Sequence, residues 1–152
     1  MNIITTAYSQ LTINDLYKIL QLRSEIFVVE QDCVYNDLDG NDEQAFHFYI
    51  KDGANVVAYA RVLPPNTRFS KASIGRLVVH KAYRFKGLAR QLMNASASWA
   101  FKQWPIDTIY ISAQKYLKGF YKSVGYKVIS DEYLEDGIPH IKMSLSKTDM
   151  PQ

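Results

Sequence analysis

The residues with the most chemical content form one short run, Arg84-Phe85-Lys86-Gly87-Leu88-Ala89. It lies where an apolar, strand-like stretch from Ile74 to Val79 gives way to a helical pattern. The first turn of a helix leaves backbone N–H groups without partners, and the helix dipole places partial positive charge there. Gly87 and Ala89 carry little side chain, so an anion can approach those amides closely, while Arg84 and Lys86 add full charges. The run therefore has the makings of a phosphate-holding loop. An ordinary basic strand-to-helix turn shares this composition, so its meaning depends on what surrounds it.

Periodicity supplies the elements that must position the loop. A short opening strand is expected over Ile3 to Tyr8. Thr12 with Asp15 three residues on resembles a capping box, and Leu16, Ile19, Leu20, Arg23, Ile26 and Phe27 then recur at helical spacing. Glu30 to Gln44 is rich in Asp and Asn, lacks periodicity, and is expected as a loop. Phe46 to Lys51 and Asn55 to Leu63 read as strands joined at Asp52-Gly53, the second stopped by Pro64-Pro65. Ala72 to His80 reads as a strand entering the loop, and Leu88 to Phe101 as a helix leaving it. Leu88, Leu92, Ala95 and Trp99 share one face of that helix, and Pro105 closes the unit. Thr108 to Gln114 alternates as a strand does. Leu117, Phe120, Tyr121 and Val124 make a short amphipathic helix ended by Gly125. Strands over Tyr126 to Leu134 and Ile138 to Ser146 flank Asp136-Gly137.

No repeat or Pro/Gly/Ser linker interrupts the series, so residues 1–152 are expected to form one domain. The expected class is α/β (α+β), a mixed central sheet of about six to seven strands flanked by helices in a three-layer sandwich.

Composition narrows the partners. Hydrophobic residues at 47% and charged residues at 22% are ordinary for a globular chain and argue against disorder. No apolar run is long enough to cross a bilayer, and no basic-then-apolar leader is present, so no membrane partner is expected. The single cysteine, Cys33, excludes an internal disulfide framework and fits a cytoplasmic setting. Lys and Arg are dispersed and the net charge is only +3, so no nucleic acid is expected. Three scattered His and one Cys lack zinc-ligand spacing. Asp37, Asp39, Asp42 and Glu43 lack calcium-loop spacing, so no metal is expected. Those four acids read instead as a solvated loop near an acceptor entrance, weakly favouring a cationic amine. Walker, dinucleotide and Gly-x-Ser-x-Gly fingerprints are absent, which removes kinase, dehydrogenase and serine-hydrolase readings.

Arg84-x-x-Gly87-x-Ala89 matches the Arg/Gln-x-x-Gly-x-Gly/Ala signature of the GNAT superfamily of N-acetyltransferases. Phe120-Tyr121-Lys122-Ser123-Val124-Gly125-Tyr126 matches a later element of the same family. A narrower resemblance, to the ElaA-like branch, covers nearly the whole chain. It rests on Leu22-Arg23, Phe27 to Cys33, Asp37-Leu38-Asp39, Ala113-Gln114 and Glu135 to His140. Two positions depart from the common pattern: Phe85 replaces a glycine, and Lys81 stands where many members carry proline.

The resemblance implies transfer of an acetyl group from acetyl-coenzyme A to a primary amine by direct attack on the thioester. It assigns the pyrophosphate to the run Arg84, Phe85, Lys86, Gly87, Leu88, Ala89 and Arg90. It assigns the pantetheine arm to the backbone of Leu77, Val78 and Val79, with Gln114 nearby and a main-chain N–H near Val78 supporting the carbonyl oxygen. Tyr121 is then the general acid: a phenol with a pKa of about 10 is protonated where a thiol of about 8.5 departs as thiolate. Glu30, His47, Glu135 and His140 are the available bases, and Glu30 and His47 are the ones singled out, with a water chain as the alternative. Acyl-homoserine-lactone synthases resemble the front half of the chain through Arg23, Phe27, Glu30 and Ala60 to Pro64, and form one rival reading. A non-catalytic acetyl-coenzyme A-binding module is the other. The acceptor class, a small amine or a protein amine, stays open, as does the choice between monomer and homodimer.

Overall fold

In the computed structural model, which describes residues 1–151, eight strands join in one open sheet. They are β1 (Ile3–Ala7), β2 (Phe46–Asp52), β3 (Asn55–Leu63), β4 (Ala72–Val79), β5 (Thr108–Gln114), β6 (Lys127–Val128), β7 (Tyr133–Glu135) and β8 (Ile138–Ser146). Their order is β1-β2-β3-β4-β5-β8-β6, with β7 also on β8, and every pairing is antiparallel except β4 with β5. Three helices, α1 (Ile13–Arg23), α2 (Leu88–Gln103) and α3 (Lys118–Ser123), cover the two faces. Ile19 and Leu22 of α1 pack with Tyr49, Tyr59 and Val78 on one side. On the other side α2 and α3 close over Phe48, Ile74, Ile109 and Met143. The three-layer α/β architecture is the one expected. The sheet exceeds the expected strand number because the stretch after Tyr126 splits into β6 and β7. There the Ser130 hydroxyl accepts the Lys142 N–H at 2.8 Å, interrupting the ladder.

Local chemistry sets several boundaries. Thr12 Oγ1 accepts the Asp15 N–H at 3.0 Å and starts α1 where the capping pattern places it. The helical path does not stop at Phe27 but widens into a π-helical segment, Ser24–Glu30. Gln31 N–H bonds Ile26 O and Cys33 N–H bonds Val28 O, each reaching five residues back at 3.0 Å. On α2 the buried stripe is Leu88, Leu92, Met93, Ala97, Ala100 and Phe101, rotated from the expected one. Ala95 and Trp99 flank it, with Trp99 held 4.6 Å from the Phe46 ring. Among the described residues no helix is long and apolar enough to cross a membrane.

The feature that shapes the site is in β4. Val78 faces Tyr59 and Gly75 faces Arg61, so β4 carries one residue more than β3 over this span. Arg76 occupies the bulge in a left-handed conformation, φ +53°. A bulge bends and twists its strand. Accordingly β4 keeps only two register pairs with β5, Ala72 with Ile109 and Ser73 with Tyr110, before the strands part.

The loop before β2, expected as solvated and acidic, is drawn inward by three arginines. Asp37 is buried, with Oδ2 2.8 Å from Arg23 Nε and Oδ1 2.8 Å from Arg76 Nε. Asp42 Oδ1 lies 2.7 Å from Arg23 Nη1 and 3.1 Å from Arg61 Nη1. Asp39 takes Arg61 through both carboxylate oxygens at 2.8 and 2.7 Å. The arginines stand on α1, β3 and β4, where burial leaves them only carboxylates to balance their charge. Burial works against ionisation of Asp39 and Asp42, but hydrogen bonds and charge from Arg61 and Arg23 outweigh it and hold both below their ordinary 3.8. His47, inside the same network, is fully buried. Its Nε2 lies 3.0 Å from the Asp42 carbonyl and so carries the proton, leaving Nδ1 to accept the Tyr59 hydroxyl at 2.7 Å. Burial, foremost, pushes its pKa below 6.5.

Two outcomes follow for stability. Asp37→Ala leaves Arg23 and Arg76 buried without their shared partner and should cost about 3–5 kcal/mol in a urea titration. His47 stays neutral when folded, whereas the unfolded chain takes up a proton as pH falls through 6.5. Its share of stability is therefore complete above pH 6.5 and lost as pH falls through the folded value. The aspartates then remove more stability as pH falls below 3.8. Unfolding free energies at pH 7.5 and 5.5 should show the first loss, and His47→Gln should abolish it.

Candidate active site

Where β4 leaves β5, the sheet is pierced by a cavity of about 90 Å³. Phe27, Gln31, Cys33 and Tyr35 reach it from the α1 side, and Met93, Leu117 and Tyr121 from the α2 and α3 side. The wide π turn is what brings both Phe27 and Gln31 to this gap. Its apolar part is deepest at Ile74, Met93 and Ile111, all buried. On the α1 side the cavity continues into a surface groove through Tyr35, Arg68, Arg76, Glu135 and Asp136, which line both.

Tyr121 lies at the cavity as the sequence predicts. It is 8% exposed and stacks edge-on near Tyr126, with ring centroids 6.1 Å apart. Its hydroxyl makes no hydrogen bond among the described residues, and burial, with Tyr116 nearby, lifts its pKa well above 10. Such a phenol holds its proton until a stronger base than water arrives beside it.

The loop at the start of α2 is built largely as expected. Gly87 has φ +79°, the conformation glycine tolerates, and a Cβ there would meet nothing within 4 Å. The first bond into α2 is Gln91 N–H to Gly87 O at 3.1 Å, and the N–H groups of Lys86 through Arg90 meet no acceptor among the described residues. Phe85 is also left-handed, φ +64°, and fully exposed. Arg84 is fixed in place, with Nε 3.0 Å from the Val79 carbonyl and Nη2 2.6 Å from Glu30 Oε2. One backbone acceptor assigned to pantetheine is thus taken by Arg84. The Arg90 side chain binds Ser123, so only its backbone faces the loop. Leu77 lines the cavity, while the Val78 side chain is buried on the α1 side. Gln114 lines it as well, joined to Gln31 by reciprocal amide hydrogen bonds of 3.2 and 3.3 Å across the gap.

Neither residue singled out as a base lines this cavity. Glu30 is paired with Arg84 at the loop, half-exposed, where its charge orients a guanidinium. His47 is sealed in the arginine network with both ring nitrogens bonded. Of the four residues available as bases, Glu135 and His140 are the two that line the cavity. His140 Nδ1 lies 2.7 Å from the Ile138 carbonyl, so this nitrogen carries a proton. Nε2 faces Glu135 Oε2 at 3.4 Å. Glu135 Oε1 is held by Arg68 Nη2 and by Ser112 Oγ at 3.2 Å, and Ser112 in turn contacts Tyr133 at 2.6 Å. A proton on Nε2 joins the two as an ion pair; without it both atoms are acceptors, and a donor placed beside them can bond to each. Arg68 and Ser112 escaped sequence reasoning. His140 was legible only as a polar position opposite Ile141, Met143 and Leu145; its pairing with Gln114 and Tyr133 is what brings it to the gap.

Comparison with known proteins agrees with this geometry. Residues 6–147 match the acetyltransferase (GNAT) domain family. The chain is 40% identical to protein ElaA of Escherichia coli over 139 residues, 90% of this chain and 91% of that one. The E. coli ElaA crystal structure superposes with a TM-score of 0.87 at 36% identity, covering 96% of this chain and all of the other. An acyl-CoA N-acyltransferase from Pseudomonas aeruginosa gives 0.89 at 36% identity with the same coverage. A CoA-dependent acyl-homoserine lactone synthase, solved with SAM and isopentyl-CoA, gives 0.77 over 95% of this chain and 82% of its own; at 18% identity it shares the fold. The chain belongs to the GNAT acetyltransferase family, in its ElaA-like branch, and is an acyltransferase.

Proposed function

We propose that the protein transfers an acetyl group from acetyl-coenzyme A to a primary amine, the two substrates meeting in the gap between β4 and β5. The observation that carries this reading is that one cavity is lined from both sides of the sheet, with a proton donor on one side and proton acceptors on the other. The free amides of residues 86–90, the φ of Gly87 and the open space above it suit a pyrophosphate. From there the backbone of β4, released from β5 after Ser73, leads to Tyr121 as an unpaired strand edge that an extended pantetheine arm can join. Ile74, Met93 and Ile111 close the apolar end, which suits a short acyl group.

The chain's residues then divide the work. Glu135 and His140 receive the substrate ammonium, and His140 Nε2 takes one of its protons. The freed amine attacks the thioester carbonyl carbon, forming the C–N bond, while main-chain N–H groups of β4 beyond the bulge stabilise the developing oxyanion. The C–S bond breaks, Tyr121 gives its proton to the departing sulfur, and the nitrogen releases its second proton to solvent. Tyr121 and His140 return to their starting states by exchange with water. The net products are the N-acetylated amine, the free thiol and one proton.

Acetyl-coenzyme A should bind saturably by calorimetry and raise the melting temperature. Thiol release should exceed the acceptor-free blank. Tyr121→Phe should lower kcat by about 10²–10⁴-fold with cofactor affinity nearly unchanged. Absence of saturable binding would defeat the proposal, and unchanged turnover in Tyr121→Phe would remove that residue from the chemistry.

A further inference from the structure

Resting on the acyl-transfer reading above, the acceptor end of the cavity carries charges that discriminate among amines. Charge there is balanced but separated: Arg68 and Arg76 oppose Glu135 and Asp136 in the lining. The arrangement around Glu135 is specific. Oε1 is occupied by Arg68 Nη2 and Ser112, and Oε2 is left to face His140 Nε2. Arg68 spends only Nη2 on Glu135. Its Nε and Nη1 make no hydrogen bond among the described residues, and its guanidinium lies 5.0 Å from the Phe69 ring, which restrains its plane. Arg76 places Nε 2.8 Å from Asp37 Oδ1, donates Nη2 to the Asp37 carbonyl at 3.0 Å, and keeps Nη1 free of hydrogen bonds among the described residues.

We propose that the acceptor is an α-amino acid with a free carboxylate, its ammonium held between Glu135 and His140 and its carboxylate on the open edge of Arg68. The physical case is one of matched dipoles. In an α-amino acid the nitrogen and carboxyl carbon are about 2.5 Å apart, the scale on which a bonded Arg–Glu pair presents opposite charges. An amine without a carboxylate gains the Glu135–His140 contact but leaves the Arg68 donors unpaired, and it places its own positive charge beside two guanidinium groups. A diamine doubles that repulsion. An amino-acid amide, which mimics a peptide N-terminus, offers Arg68 a neutral acceptor where a charged one would bind more strongly. The groove shared with Tyr35 and Arg76 gives the amino-acid side chain an open path to solvent.

The test uses the full chain, acetyl-coenzyme A and free-thiol detection. Acceptors are the twenty standard amino acids, each beside its decarboxylated amine and its carboxamide. At least one amino acid should be acetylated with kcat/KM exceeding that of its amine and amide by about tenfold or more. Arg68→Gln should collapse that preference toward one, chiefly by raising KM for the acid. A structural role for Arg68 would instead depress acid, amine and amide alike and leave their ratio intact. The inference is overturned if amines or amides match the acids, if no amino acid is acetylated, or if the ratio survives Arg68→Gln. Calorimetry with acetyl-coenzyme A, run on the same preparation, separates the two levels. Saturable donor binding without acid preference overturns this inference alone, whereas no donor binding overturns the acyl-transfer reading beneath it.

Discussion

The parting of β4 from β5 is the constraint on which the rest of the molecule depends. Two adjacent parallel strands would normally continue their ladder and bury the gap between them. Here one additional residue in β4, with Arg76 in a left-handed conformation, bends the strand away. Such a backbone conformation is unfavourable for a residue with a side chain and persists only where its surroundings demand it. The surroundings are the carboxylates of Asp37 and Asp39, which grip the Arg76 guanidinium and are gripped in turn by Arg23 and Arg61. A buried ion network is a poor way to gain stability, but a good way to impose one geometry on a strand that hydrophobic packing alone would leave regular. Its polar groups interlock α1, β3, β4 and the intervening loop.

Much of this was legible from residue order, and the limits are physical. Gly87 and Ala89 marked a turn with little side-chain bulk, and the amides behind them followed from helix geometry; the left-handed φ of Gly87 came only with the structure. Tyr121 was placed by its motif and the amphipathic spacing of its short helix. The partners of His47 were not legible, because alternation between Phe46 and Phe48 indicates a face, not what occupies it. Tyr59 and the Asp42 carbonyl arrive from other segments. Glu30 is alike: nothing local tells a carboxylate that Arg84, 54 residues away, will claim it. Glu135 and His140 were visible as polar positions, yet their meeting depends on strand register. Arg68 sits in an aperiodic loop, where no pattern can rank one cation above another.

The acidic loop shows the same limit at larger scale. Four acids in seven residues look solvated when read alone, because carboxylates are rarely buried. The arginines that reverse this conclusion lie singly among apolar residues of α1, β3 and β4. Each looks like an exposed position at the edge of a core stripe. Only assembly of the layers reveals them as one charge-balanced cluster.

The two sides of the cavity draw on almost disjoint stretches of chain. One is lined from β4, Met93 of α2, Leu117 and Tyr121; the other from Phe27 of the π segment, the 31–42 loop, Arg68 and the β7–β8 turn. Substitutions in the 31–42 loop, at Arg68 or in the β7–β8 turn leave the start of α2 untouched, whereas Glu30 of the π segment is tied to it through Arg84. The scaffold thus lets one wall of the cavity be reshaped while the opposite wall and the helix behind it keep their form.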